Sequence, residues 1–242
     1  MMTSVFGNKQ DTSACVKRVN VAIDGPAGAG KSTVSRLLAD RLGYTWVDTG
    51  AIYRCVAYLV QQAGVNPHDD LQVAEIALTM SVRFQRQTPL QRVYLNEQDV
   101  TEKIRTPQIS YLSSIVSQHP SVRKILLDIQ REFAVQGGAI LEGRDITTVV
   151  LPEAEVKIFL DADPQARAQR RAHELNLKDE SEVEKLQSDM RARDERDSKR
   201  QIAPLVVSKD AVRLDTTRLN VEQVVNEIEL LVKNKQSIFL KT

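Results

Sequence analysis

Gly25-Pro26-Ala27-Gly28-Ala29-Gly30-Lys31-Ser32 follows the order G-x-x-x-x-G-K-[ST], a pattern built for holding phosphate. Glycines let backbone amides approach phosphate oxygens with no Cβ in the way, and a helix starting beyond them adds the positive end of its dipole. The Lys31 ammonium neutralises the outer oxygens. The Ser32 hydroxyl is of the type that ligates Mg2+, and Thr33 completes the run. The motif implies a nucleoside triphosphate, most simply ATP, and leaves open where the γ-phosphoryl goes.

An alcohol acceptor needs a base, whereas a phosphate acceptor is already an anion and needs cations to hold it against another anion. Arginines are therefore more informative than histidines. His68, His119 and His173 lie in no triad-like or metal-ligand spacing and are expected to be structural. Three segments carry arginine beside acid or hydroxyl: Asp48-Thr49-Gly50-Ala51-Ile52-Tyr53-Arg54, Gly143-Arg144-Asp145, and Arg193-Asp194-Glu195-Arg196-Asp197-Ser198-Lys199-Arg200. Helix capping by Asp48 and Thr49 and a turn at Gly143 are the bland alternatives for the first two. For the third, Asp189/Arg193, Arg193/Asp197 and Glu195/Lys199 are ordinary i,i+4 pairs of a solvated helix. A lid that excludes water from a transferring phosphoryl should be polar, cationic and weakly packed, which favours a functional part for this stretch.

The elements that position these residues are legible from periodicity. Val19 to Asp24 is a β-rich run that stops at the glycine loop, and Lys31 to Leu42 carries Val34, Leu37, Leu38 and Leu42 at helical spacing. Thr45 to Val47 is a second strand, followed by a helix marked by Ile52, Cys55, Val56 and Leu59 that ends near Gly64. Alternation of this kind implies a parallel sheet whose carboxyl edge binds ligand, and Asp48 and Gly143 both fall on that edge. Leu71 to Met80 reads as a short helix, and Val82–Phe84 and Val93–Leu95 as half-exposed antiparallel strands, so residues 65–106 form an insert. Pro107, with Thr106 as N-cap, and Pro120 start two helices. Ala139–Leu141 and Val156–Leu160 are further buried strands, and Asp163-Pro164 opens the next helix. Ser181 to Glu184 reads as a capping box. Residues 191–201 hold one apolar side chain, Ala192, and are expected to be exposed and comparatively mobile. Val212–Leu214 and a helix from Asn220 close the pattern.

Composition excludes several classes. The chain has 242 residues, 42% hydrophobic and 27% charged, with Lys+Arg 33 against Asp+Glu 32. That suits one globular domain with inserts, and a net charge of +1 provides no global field to recruit nucleic acid or an anionic membrane. Cys15 and Cys55 make no disulfide framework, and no apolar run is long enough to span a membrane. A cytoplasmic protein is expected, with residues 1–17 a disordered polar leader.

Together these segments resemble the bacterial cytidylate (CMP/dCMP) kinases of the nucleoside monophosphate kinase superfamily, end to end from about Val19 to Lys235. The resemblance rests on the loop Gly25 to Ser32, on Asp48 to Arg54, on Gly143-Arg144-Asp145, and on Arg193 to Arg200 leading into Ala203-Pro204-Leu205. It also rests on the insert, with Val82-Arg83-Phe84 and Val100-Thr101-Glu102-Lys103-Ile104-Arg105-Thr106. It implies an α/β fold, a three-layer P-loop kinase core made of residues 18–64, 107–165 and 203–242. An enlarged CMP-binding insert at 65–106 and a short helical lid at 166–202 complete it. It implies transfer of the γ-phosphoryl of MgATP to CMP or dCMP. Thr49, Arg54, Ser114, Arg123, Arg144 and Asp145 would hold the acceptor, with Arg193, Asp197 and Arg200 facing it from the lid. Gly25, Pro26, Ala27, Gly28, Ala29, Gly30, Lys31, Ser32 and Thr33 would hold ATP, with Arg170 against the adenine. Lys31, Arg144, Arg193 and Arg200 would carry the transfer, and Ser32 the metal. No nucleic-acid or membrane partner is implied, and a monomer is expected. Two positions depart from the family pattern: Glu142 stands where Asp is usual, and Ser32-Thr33 where some members have Gly-Thr. Either acid can orient a water on magnesium.

Three other readings make different demands. An alcohol kinase on the same core would use Asp48 as base. A guanine-nucleotide switch would need an N-K-x-D reader beyond its phosphate loop; the string Asn8-Lys9-Gln10-Asp11 has that spelling but lies in the polar leader, ahead of the loop. A nucleic-acid binder would use Arg167, Arg170, Arg171 and residues 191–200, but acids interleave these and no aromatic platform accompanies them.

Overall fold

A computed structural model describes residues 18–87 and 91–239; the expected leader at 1–17 lies outside them. β1 (Val21–Asp24) runs between β6 (Ala139–Gly143) and β7 (Val156–Asp161), with β2 (Thr45–Asp48) and β8 (Val212–Asp215) at the edges, in the order β2-β6-β1-β7-β8. All four pairings are parallel. The register sets Asp24 beside Gly143 and Asp48 beside Glu142, so the chemistry-bearing residues share one sheet edge.

Strand residues alternate between two cores, as a sheet covered on both faces requires. Val21, Ile23, Ile140, Ile158 and Leu160 pack against α1 (Lys31–Leu42) and α8 (Val221–Phe239). Ala22, Val47 and Leu141 face α2 (Thr49–Ala63), α4 (Pro107–Val116) and α5 (Pro120–Glu132). That second core continues into the insert, where α3 (Asp70–Leu78) is followed by an antiparallel sheet of β3 (Val82–Gln85), β4 (Arg92–Leu95) and β5 (Gln98–Asp99). Val73, Ala77, Val93 and Leu95 join the same apolar body as the core helices, which fixes the insert against the sheet.

Caps fall where the residue types direct them. Asp48, Asp69 and Thr106 accept from backbone amides at the starts of α2, α3 and α4, and Pro107, Pro120 and Pro164 occupy first helical turns. α6 (Pro164–Glu174) and α7 (Glu180–Lys199) then form a helical pair over the glycine loop. The capping box at Ser181 is corrected: Asp179 caps α7, accepting from Ser181 N, and Ser181 is already inside the helix. The Ser181 hydroxyl also donates to Asp179 Oδ1, at 2.7 Å, so it serves the upstream cap as a donor and does not accept from an amide further along the helix.

Asp24 links the sheet to the site. It is fully buried and accepts from Ile146 N at 2.8 Å, Thr147 N at 2.8 Å and the Thr147 hydroxyl at 2.7 Å. Those donors open a π-helical turn, Ile146–Val150, directly after Gly143-Arg144-Asp145. Asp24 thereby fixes where the Arg144 and Asp145 side chains stand. Asp24→Ala strands buried donors, and a loss of about 3 kcal/mol is expected. A thermal melt measures this, and an unshifted melting temperature contradicts it.

Candidate active site

β1 leaves the sheet past β7 so closely that a Cβ on Gly25 would lie 2.0 Å from the Leu160 carbonyl oxygen. Only glycine permits that exit. Gly30, at φ 88°, turns the chain into α1 so that the following amides point into the loop. Lys31 is buried and its ammonium donates to Pro26 O at 2.8 Å. Ser32 Oγ donates to Glu142 Oε2 at 3.0 Å, and Trp46 Nε1 donates to Glu142 Oε1 at 2.9 Å. Burial, and then the Asp48 charge, push the Glu142 carboxyl above its usual range, although Lys31 and the two hydrogen bonds pull it back. Burial and the nearby Arg144 guanidinium lower the Lys31 ammonium. The loop is thus held with its cation partly desolvated, where charge counts most. Trp46 was not singled out by sequence: a lone indole in a short strand carries no signal of its partner.

The arginine segments converge beside this loop. Thr49 Oγ1 donates to Glu142 O at 2.7 Å, which pins the start of α2 to β6. One turn on, Arg54 donates to Asp48 Oδ2 at 2.6 Å. From α5, Arg123 pairs with Asp145 and donates to Ser117 O at 3.0 Å. Arg144 Nε donates to Asp197 Oδ2 at 2.9 Å, joining the edge of β6 to α7. Arg193, Arg144, Arg54 and Asp197 interact electrostatically, as do Arg200, Arg123 and Asp145. Ser114 is buried on α4 and meets α7 through Arg196, whose Nε approaches Ser114 Oγ at 3.4 Å. The expected acceptor residues therefore form one cluster.

Arg170 stands apart from it. It donates to Thr216 Oγ1 at 3.0 Å and to Thr216 O at 2.5 Å, on the other side of the glycine loop.

The exposed character expected for residues 191–201 is corrected on one face of α7: Asp197 is buried, and Arg193 and Arg200 are partly so. Of the i,i+4 pairs read from sequence, Glu195 with Lys199 forms at 2.5 Å. Asp197 instead pairs with Arg144, and its neighbour Asp194 with Arg167 on α6 at 2.5 Å. A search for apolar stripes misses a face whose burial is achieved by ion pairing.

The cluster holds more cation than it neutralises. Arg54 Nε, Arg193 Nε, and Arg200 Nε and Nη2 are shielded from solvent with no hydrogen-bond partner among the described residues. Burial, reinforced by Arg144, lowers Arg193 to about 10. Such donors are costly unless an acceptor arrives. Burial would raise the Asp48 carboxyl, but the Arg54 charge and hydrogen bonds from Arg54 and Ala51 hold it below the usual range.

Residues 21–234 match the family described as cytidylate kinase. The chain belongs to that family. A cytidylate kinase of Syntrophotalea carbinolica is 45% identical over 223 residues, covering 92% of this chain and 95% of that one. Another, of Geobacter sulfurreducens, is 46% identical over 217 residues, covering 89% and 93%. Among solved structures, a shikimate kinase from Acinetobacter baumannii covers 91% of this chain and 96% of its own at 18% identity, with a TM-score of 0.42. Membership of the cytidylate kinase family makes the protein a phosphotransferase.

Burial would raise the Asp197 carboxyl, but the charges of Arg144, Arg200 and Arg193 hold it below the usual range. A depressed folded value means its contribution is full above the ordinary carboxylate range and is lost as pH falls through that lower value. Arg144→Met should cost about 3 kcal/mol at neutral pH and move the acid-unfolding midpoint, followed by circular dichroism, to higher pH. An unchanged midpoint contradicts the pairing.

Proposed function

We propose that the protein transfers the γ-phosphoryl of MgATP to CMP or dCMP, giving ADP and CDP or dCDP. The observation that carries this reading is the set of shielded, unpartnered guanidinium nitrogens on Arg54, Arg193 and Arg200. A phosphate acceptor satisfies them; a neutral alcohol does not. The alternative in which Asp48 deprotonates an alcohol is disfavoured by its pairing to Arg54 and to the Ala51 amide.

In this reading the loop from Gly25 to Thr33 binds the ATP phosphates, and Lys31 exchanges Pro26 O for a phosphoryl oxygen. Arg170, with one edge anchored on Thr216, offers its planar face to adenine. Ser32 and Glu142 offer a hydroxyl and a carboxylate 3.0 Å apart, a hard oxygen set that fits Mg2+. Held there, Mg2+ would supply positive charge against the phosphates. Thr49, Arg54, Ser114, Arg123, Arg144 and Asp145 hold the acceptor nucleotide, with the insert at 65–106 on its base side. Asp197 accepts from the cytosine amino group while Arg193 and Arg200 reach toward its ring acceptors and the phosphate. The acceptor oxygen is already an anion, so in-line attack needs no general base and no covalent enzyme intermediate. Lys31, Arg144, Arg193 and Arg200 meet the charge that moves between the two nucleotides.

The remaining expectations belong to the same proposal: a core of residues 18–64, 107–165 and 203–242, a lid at 166–202, a monomer, a cytoplasmic location and no nucleic-acid partner. Among the described residues, no helix is long and apolar enough to cross a membrane.

ADP release measured with CMP, dCMP, UMP, AMP and small alcohols as acceptors tests the reaction. Turnover with CMP or dCMP is expected, and activity confined to an alcohol overturns it. Arg200→Ala should raise the KM for CMP about tenfold or more while leaving the KM for ATP within about twofold; equal damage to both contradicts the assignment. Lys31→Ala should lower kcat by about a hundredfold or more.

A further inference from the structure

We infer that Asp194 is a positioning residue that ties the donor loop to the lid helix, so that seating the acceptor nucleotide on α7 also sets the geometry of the ATP cradle. The inference rests on the proposed reaction for its two ligands, but the tie itself is visible without them. Asp194 Oδ1 accepts from Ala27 N at 3.0 Å, and its Oδ2 accepts from Arg167 Nη1 at 2.5 Å. Arg167 donates in turn to Ala27 O at 2.8 Å and to Ala162 O at 3.1 Å. Both polar groups of the Ala27 backbone are therefore claimed by side chains of α6 and α7.

Packing makes the same connection independently. A Cβ added to Gly28 would lie 2.8 Å from Met190 Cε, 2.9 Å from Arg167 O and 3.1 Å from Arg167 Cβ. The lid helices thus rest directly on the loop, with no room for a larger residue between them. Met190 is buried there, four residues before Asp194 and on the same side of the helix.

α7 accordingly carries two stripes. Met190 and Asp194 face the donor loop; Arg193 and Asp197, with Arg200 just past the helix end, belong to the acceptor cluster. At about 100° per residue, Asp194 lies roughly a quarter-turn from Arg193. A helix is stiff over four residues, so a rotation that brings Arg193 and Asp197 onto the acceptor moves Asp194 with them, and with it Ala27. Such mechanical linkage makes the two nucleotides strengthen each other's binding. Without Asp194 the loop keeps its glycines and Lys31 but loses its report on whether the acceptor is in place.

Two measurements test this. In nucleotide-free protein, the Ala27 amide should exchange hydrogen about tenfold faster in Asp194→Ala than in wild type, and Asp194→Asn, which keeps an acceptor oxygen, should restore most of the protection. In the second, the Kd of a non-hydrolysable ATP analogue is measured with and without CMP. Wild type should bind it about fivefold or more tighter with CMP present, Asp194→Ala should show a ratio near one, and Asp194→Glu should recover part of it. Equal Ala27 exchange in wild type and Asp194→Ala, or an undiminished CMP effect in that variant, overturns the inference. A wild-type enzyme that phosphorylates CMP yet shows no mutual tightening also overturns it. A wild type that fails to phosphorylate CMP defeats the proposed reaction instead, and the exchange experiment still decides whether Asp194 holds the loop.

Discussion

Buried positive charge without enough internal counter-charge is the constraint around which the protein is arranged. Lys31, Arg54, Arg123, Arg144, Arg193 and Arg200 are drawn to one edge of the sheet, and Asp48, Asp145, Asp197 and Glu142 offset part of that charge. The remainder is left as shielded nitrogens with no hydrogen-bond partner among the described residues. A fold keeps such an expense only where a ligand relieves it, and phosphate is the ligand whose charge and oxygen count fit.

The scaffold explains how that charge is held in place. Parallel strands sharing one carboxyl edge line up Asp24, Asp48 and Gly143. Asp24 then fixes the turn after Asp145, and Thr49 fixes the start of α2. Arginines from α2, α5 and α7 and from the chain just past β6 and α7 are brought together, so no single segment sets all of their positions. The ion pairs are partial: Arg123 and Arg144 are engaged, while Arg193 and Arg200 retain free donors. That division separates groups that shape the site from groups left to meet a ligand.

Much of this was legible in the sequence because it depends on local rules. Glycine spacing, period-2 strands, and Thr106-Pro107 and Asp163-Pro164 starts each leave a signature within a few residues, and the observed elements follow them closely. The arginine segments were recognisable by type and by their place after strands. What stayed hidden depends on long-range pairing. Trp46 meets Glu142 and Asp194 meets Ala27 across 96 and 167 positions respectively, and no pattern in either neighbourhood points to the other. The end of α7 looks exposed in sequence because residues 191–201 hold one apolar side chain, Ala192. Its inward face is charged, and what buries it is the complementary charge of Arg144 and Arg167.

Calorimetric binding of CMP and of cytidine to the same protein tests the central claim most directly, because the two ligands differ only in the phosphate that the unpartnered guanidiniums await. The account predicts that CMP binds at least about a hundredfold more tightly than cytidine, and that the difference shrinks as salt rises. Equal affinity for the two would contradict it.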